Sequence, residues 1–208
     1  VKKQEFDLTG LKSFLNYISP LSQEYKESFV FTGFETPVIY IGIDCGSTGA
    51  ISFIYGNLCH VVDIPMQKVE LTQKTKKGNR KKRSVPDYDK IIEIFSLIAS
   101  IKVPVVVGIE KPPVTVITGK VRMTDVFLHG FYSMWPLYLK SLGFEVHSFL
   151  PSKWQSFFGL TGKADKETSL ELARKKFPKS AFLKRKKDHN RAEAILISLY
   201  TQSEFRHD

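Results

Sequence analysis

The hydrophobic pattern changes character several times along the chain, and each change marks an element. Residues 1–37 are mixed: LTGLKSFLNYISPL spaces Leu8, Leu11, Leu15 and Ile18 at helical intervals before Pro20 stops the pattern, which predicts a leader or small helical appendage. From Val38 the period shortens. Strands are expected at 38–44, 50–55 and 58–64, the last two joined by Gly56-Asn57, a hairpin-type dipeptide in inverted order. A polar stretch, QKTKKGNRKKRS (73–84), then carries seven Lys or Arg between positions 74 and 83, with nothing apolar to hold it in a core. The sequence SVPDYD (84–89) opens a helix with Ile91, Ile92, Phe95, Ile98 and Ala99 on one face. PVVVGIE (104–110) is a continuous apolar run, as expected of a central strand covered on both faces. After a loop at 111–125 the pattern predicts an aromatic-rich helix at 126–142, a strand at 144–150 and a short helix starting PSKWQSFF. The segment GLTGKADK leads to a helix at about 167–176, and DHNRAEAILISLYTQ forms the last helix, from 188 to about 202.

The order βββ-α-β-α-β-α-α differs from the alternating βαβ of dinucleotide folds. A three-stranded meander followed by two strands reached through crossover helices makes a mixed five-stranded sheet with helices on both faces. That α/β arrangement is the ribonuclease-H-like architecture. The expected organisation is an appendage at 1–37 and one such domain at 38–208.

Charge narrows the class of partner. With 31 Lys and Arg against 21 Asp and Glu, the 208-residue chain has a net charge of +10, which favours a polyanion, nucleic acid before membrane. No apolar run approaches the ~20 residues of a membrane span. The chain begins at Val1, which reads as a processed or trimmed product, so the absence of a targeting segment says nothing of compartment. Cys45 and Cys59 lie in apolar strand-like sequence and read as reduced, buried thiols.

Two of the predicted strands end in acids, Asp44 and Glu110. Side by side they would repel, and a divalent cation is the usual remedy. The D-C-G-S-T-G turn after the first strand also resembles the opening of actin-like ATPases, whose glycines admit phosphates. A single such turn in 208 residues supplies only half of that two-domain site. The nuclease reading therefore stands, with no nucleotide cofactor. In the last helix His189 and Glu193 are four apart and share a face, about 40° from each other around the axis, with Ile197 next along it. Asp188 falls roughly 140° from Glu193 and is expected to be the N-cap.

LKRKKDHNRAEAILISLY (183–200), IGID (41–44), the strand ending at Glu110 and GKADKE before a helix together resemble RuvC-type Holliday-junction resolvases. Within that family they are most similar to the plant plastid branch, the monokaryotic-chloroplast resolvases, over roughly residues 38–202. The resemblance implies metal-dependent cleavage of four-way junction DNA by a homodimer. Asp44, Glu110, His189 and Glu193 would be the metal-binding set, with two Mg²⁺ per site, or Mn²⁺, which suits His189 better. Lys166 would face the scissile phosphate, and the compartment would be the chloroplast; without the resemblance it would be some intracellular DNA-containing compartment. One departure is Gly46, where plant relatives carry a second Asp.

The basic segment with Lys81, Lys82 and Arg83 is the expected DNA-backbone arm. Lys153 and Trp154 add a positive and a stacking contact beside the site, with core an equal reading for Trp154, and Lys120 and Arg122 lie in the segment that the resemblance implies would meet bases. Phe127, Phe131, Met134 and Trp135 are the candidate dimer surface, with core the other reading for Phe131, Tyr132, Met134 and Trp135. Two other readings stay open at this stage: a catalytically silent nucleic-acid binding module of the same fold, and an exonuclease or RNA-directed nuclease.

Overall fold

The computed structural model describes residues 38–205 except Ser47, Asn57, 75–77, 113–122, 161–165 and Lys179. The leader at 1–37, and the loop with Lys120 and Arg122, lie outside the described residues. In chain order the elements are β1 (Ile39–Asp44), β2 (Ala50–Tyr55), β3 (Leu58–Asp63), β4 (Met66–Lys74), β5 (Arg80–Pro86), α1 (Tyr88–Ser100), β6 (Val105–Glu110), α2 (Met123–Ser141), β7 (Glu145–Phe149), α3 (Pro151–Phe157), α4 (Lys166–Lys176), a 3₁₀ turn (Ala181–Leu183) and α5 (His189–Glu204).

Five strands form one mixed sheet in the order β3-β2-β1-β6-β7. β1 is antiparallel to β2 and β2 to β3, while β1, β6 and β7 run parallel. This is the expected ribonuclease-H-like sheet, and both of its faces are covered. Ile39, Ile41 and Ile43 of β1 and Val105, Val107 and Ile109 of β6 face α1 and α2, whose Ile91, Ile94, Phe95, Ile98, Phe131 and Trp135 complete that core. On the other face, α5 places Ala192, Ala194 and Ile195 against Ala50 and Val61, and Leu196 and Ile197 against Trp154 of α3. Two-sided burial is why β1 and β6 read as unbroken apolar runs rather than alternating ones.

Three expectations change. The basic stretch at 73–84 is not an irregular arm: most of it belongs to the β4–β5 hairpin, paired from Met66↔Pro86 to Lys74↔Arg80. Met66, Val69, Leu71 and Val85 are its half-buried positions, while Arg80 to Ser84 on β5 are all exposed and keep the edge soluble. The run of charge hides the strand in the sequence. In α1 the buried face is Ile91, Ile94, Phe95 and Ile98, while Ile92 is 47% exposed. The proposed dimer surface on α2 is largely core: Phe131 is 3% and Trp135 0% exposed, with Trp135 edge-on to Phe95 at 5.7 Å. Met134 packs on the same cluster, and Phe127 stacks on Phe131. A broad sheet face needs more apolar bulk from α2 than a single helical stripe suggests.

The closest approach of helix to sheet is at glycines. Gly42 and Gly108 are paired in register on neighbouring parallel strands. A Cβ on Gly42 would overlap the Ala194 carbonyl oxygen and the Ser198 amide nitrogen, and one on Gly108 would overlap Thr201 Oγ1. Ser52 adds a hydrogen bond from its hydroxyl to the Ala194 carbonyl (2.6 Å) and another shared with Ser198 (2.8 Å). At Gly42 α5 thus meets the strand backbone directly, and at Gly108 the Thr201 side chain fills the space a Cβ would take. Gly42→Ala should lower stability by about 1–3 kcal/mol in urea unfolding, because the whole helix must give. Gly130→Ala, on α2 with no atom within 4 Å of the added Cβ, should instead be neutral or stabilising by up to about 1 kcal/mol.

Candidate active site

The glycine pair sets the position of the two strand-end acids. Asp44 lies two residues beyond Gly42 and Glu110 two beyond Gly108, so the strand period of two aims both toward the α5 side of the sheet. The last register pair, Ile43↔Ile109, leaves the two acids as the next positions on adjacent strands. The turn after β1 holds Asp44 in place: the Gly46 amide donates to Asp44 Oδ1 (3.1 Å) and the Gly49 amide to the Gly46 carbonyl (2.8 Å). A Cβ on Gly49 would overlap the Asp44 carbonyl, so the tight turn requires glycine there. The buried Cys45 thiol donates to the Glu110 carbonyl (3.0 Å), tying the two strand ends together. Burial, with Asp44 and Glu110 nearby, pushes that thiol well up, so it stays protonated as a donor.

Glu110 is held from the helical side. The Trp154 indole N–H donates to Glu110 Oε2 at 2.7 Å, and Trp154 is fully buried. Of its two expected readings, core and stacking contact, it is core. Its neighbour Lys153 is exposed on α3. Burial raises the Glu110 carboxyl to about 7, helped by the charges of Asp44 and Glu193 and opposed by the Trp154 hydrogen bond. A half-buried acid that feels two other acids marks the point where β1, β6 and α5 converge.

The first turn of α5 is clamped to two different loops. Asn190 Nδ2 donates to the Thr48 carbonyl and to Thr48 Oγ1 (2.9 Å), in the turn that follows Asp44. Arg191 makes a two-pronged pair with Asp63 at the end of β3, at 2.6 and 2.7 Å. Asp188 sits at the N-cap position but does not cap. Its carboxylate accepts from the Arg185 amide (2.7 Å) and Arg185 Nε (2.9 Å), and it is 2% exposed. Burial alone would raise its pKa, yet the hydrogen bonds from Arg185 and the charges of Arg185 and Arg191 hold it below the ordinary carboxylate value. These contacts orient His189 and Glu193, both half-buried, while Ile197 of the same stripe is fully buried.

Of the expected site residues, Asp44, Glu110 and Glu193 are electrostatically coupled, and His189 lies one helical turn before Glu193. Lys166 opens α4, and its side chain lies outside the described residues. Among the described residues, no three His, Cys, Asp or Glu side chains stand close enough together to hold an ion. The donor chemistry nonetheless fits a hard divalent cation: oxygen ligands whose mutual repulsion already raises one of their pKa values. Lys81, Lys82 and Arg83 are exposed on β5. Lys82 and Arg80 reach Glu70 at 3.8 Å, and the Arg83 guanidinium lies 5.0 Å over the Phe127 ring. Two contributors escaped the sequence reading: Trp154 as partner of Glu110, and Asn190, whose partner Thr48 is 142 residues away.

No protein-family model matches the chain. The chloroplastic Holliday junction resolvase MOC1 of Chlamydomonas reinhardtii is 35% identical over 94 residues, which are 44% of this chain and 10% of that protein. The sequence relative is a Holliday-junction resolvase. The chain thus spans about a tenth of the length of that relative. Two solved structures are similar: RuvC of T. thermophilus in complex with Holliday junction substrate, with a TM-score of 0.41, 13% identity, and 81% of this chain and 95% of that one covered. A second is the Thermus thermophilus RuvC structure, with a TM-score of 0.37, 16% identity and the same coverage. The fold rests on the strand order and register of the chain itself.

The Glu110 environment predicts a pH dependence of stability in the presence of a chelator. The folded carboxyl keeps its proton up to about 7 while the unfolded chain releases it near 4.5. Its contribution is complete below the unfolded value and is lost as pH rises through the folded one. Urea unfolding from about pH 5 to about pH 8 should therefore show falling stability, and Glu110→Gln should flatten that decline. In Trp154→Phe, which lacks the donor, the Glu110 carboxyl titration seen by carbon NMR should move further upward.

Proposed function

We propose that the chain is a structure-selective endodeoxyribonuclease that resolves Holliday junctions by paired, metal-dependent phosphodiester hydrolysis. The observation that carries the reading is Glu110, raised to about 7 by burial and by the charges of Asp44 at the neighbouring strand end and Glu193 on the last helix. The resolvase relative supports it. Asp44, Glu110, His189 and Glu193 would hold two Mg²⁺ or Mn²⁺, which would activate water and stabilise the leaving oxygen. The chain's own residues do the rest. The Gly46 amide and the Trp154 indole orient the carboxylates on Asp44 and Glu110, and the Asn190 and Arg191 clamps hold His189 and Glu193 on the same side. Lys166 neutralises charge developing on the phosphoryl group. Lys81, Lys82, Arg83, Lys120, Arg122 and Lys153 contact DNA. The chloroplast is the proposed compartment.

Glu110→Gln keeps the size of the side chain and removes its charge. It should abolish cleavage of a four-way junction in Mg²⁺ while leaving junction binding intact. Joint loss of binding and cleavage would make Glu110 structural. The wild-type protein should prefer the four-way junction to linear duplex and to RNA–DNA hybrid, in Mg²⁺ and in Mn²⁺. Equal cutting of linear ends would favour an exonuclease, and binding without cutting in either metal a silent module.

The junction has two-fold symmetry, and matched nicks need two sites, so the chain acts as a homodimer. With Phe131 and Trp135 in the core, α2 offers the exposed Val126 and Leu137 instead. Sedimentation at micromolar concentration should give a dimer; a species that stays monomeric on the junction and makes single nicks would exclude resolution.

A further inference from the structure

The positive charge of this chain is not spread over its surface. Residues 74–83 carry seven Lys or Arg and residues 172–187 carry eight, with no Asp or Glu in either stretch. The remainder of the chain is net −5 against the total of +10. The first stretch is the hairpin. The second carries one more basic residue, and apart from Arg185, which holds Asp188, it has no role in the site described above.

Its geometry distinguishes it from a loose, solvated tail. The last turn of α4 presents Arg174, Lys175 and Lys176, and the turn before α5 presents Lys184, Arg185, Lys186 and Lys187, all four exposed. Between them the chain is anchored: Phe182 and Leu183 are 4% and 2% exposed, packed in one cluster with Leu170, Ala173 and Ala192. The two arginines serve to build the turn. Arg174 Nε donates to the Leu183 carbonyl (2.6 Å) and Nη2 to the Lys184 carbonyl (3.2 Å), and Arg185 grips Asp188. The lysines are left to face outward. A cavity of about 720 Å³ opens between the two stretches, with Arg174, Lys175, Phe177, Pro178 and Lys184 among its walls. Lysines gathered on anchored chain segments repel one another, and a chain of phosphates relieves that repulsion. The next residues along the chain are Asp188 and His189, the start of the helix that carries Glu193.

We propose that the surface formed by Lys175, Lys176, Lys186 and Lys187 is a second DNA-backbone site, which holds a duplex arm beside the active site while the β4–β5 hairpin holds another. The inference rests on the proposed nuclease function and adds to it where the flanking duplex lies. Its contacts are phosphates, so it acts on any sequence and on linear as well as branched duplex.

The test is binding in a chelator, where no strand is cut, with fluorescent four-way junction and linear duplex over a salt series. Changing the four exposed lysines to Gln should weaken both ligands at least ~10-fold near 0.1 M salt and reduce the salt slope by about 0.9 for each lost phosphate contact. Combining this variant with Lys81→Gln and Lys82→Gln should add the two losses in log K, as expected of separate surfaces. An unchanged slope in a variant of a protein that still resolves junctions overturns the second site and leaves the resolvase reading intact. A wild-type protein that cuts nothing, yet loses slope in the variant, keeps the site and overturns the resolvase reading.

Discussion

The structure depends on one close approach, the seating of α5 on the backbone of two neighbouring strands at Gly42 and Gly108. A helix normally stands off a sheet by the thickness of two layers of side chains. Here one layer is missing along a short seam, and Ser52 fills the role of a polar peg into the helix at Ala194 and Ser198. Dispersion contacts and buried apolar area elsewhere along α5 offset the loss of side chains at the seam. The gain is geometric. Acids on the strand ends two residues past the glycines come within electrostatic range of a helix acid that would otherwise be held away.

That placement concentrates negative charge in a chain that is positive overall. Glu110 bears the cost, with a carboxyl raised to about 7. The surrounding donors limit this cost without removing it: one indole N–H on Glu110, one amide on Asp44, and a thiol that occupies the Glu110 carbonyl. None of these donors is a cation. Clustered acids of this kind favour a bound cation, the electrostatic condition that divalent-metal hydrolysis exploits. Arginines near the site are committed elsewhere, Arg191 to Asp63 and Arg185 to Asp188, and thereby fix the start of α5 without neutralising the cluster.

Opposite charges are thus kept apart by the fold. The acids sit at the carboxyl ends of β1 and β6, whereas the cations project from a hairpin inserted between β3 and α1 and from the turn ahead of α5. Anchoring differs between the two basic elements. The hairpin meets the body through Met66, packed on the core, and through Arg83 over Phe127. The turn is bolted down by Phe182, Leu183 and Arg174.

Much of this was legible in the residue order. Unbroken apolar runs ending in Asp44 and Glu110 announced two central strands with acids at their ends, because burial on both faces leaves no polar alternation. Four-residue spacing put His189 and Glu193 on one helical stripe, and the strand–helix order predicted the mixed sheet. What local pattern could not supply was partnership across the chain. The Trp154–Glu110 hydrogen bond spans 44 residues and the Asn190–Thr48 contact 142, and neither leaves a trace in spacing. The hairpin escaped because its basic strand is exposed throughout Arg80–Ser84 and carries no apolar period, and Phe131 and Trp135 are core because α1 lies against them. Sequence by itself determined the five strands of the main sheet, its helices and which residues carry charge, since those follow from near-neighbour periodicity. Only the tertiary structure decided which acids repel one another and which aromatics are hidden, since burial and Coulomb energy depend on distances that the folded chain alone creates.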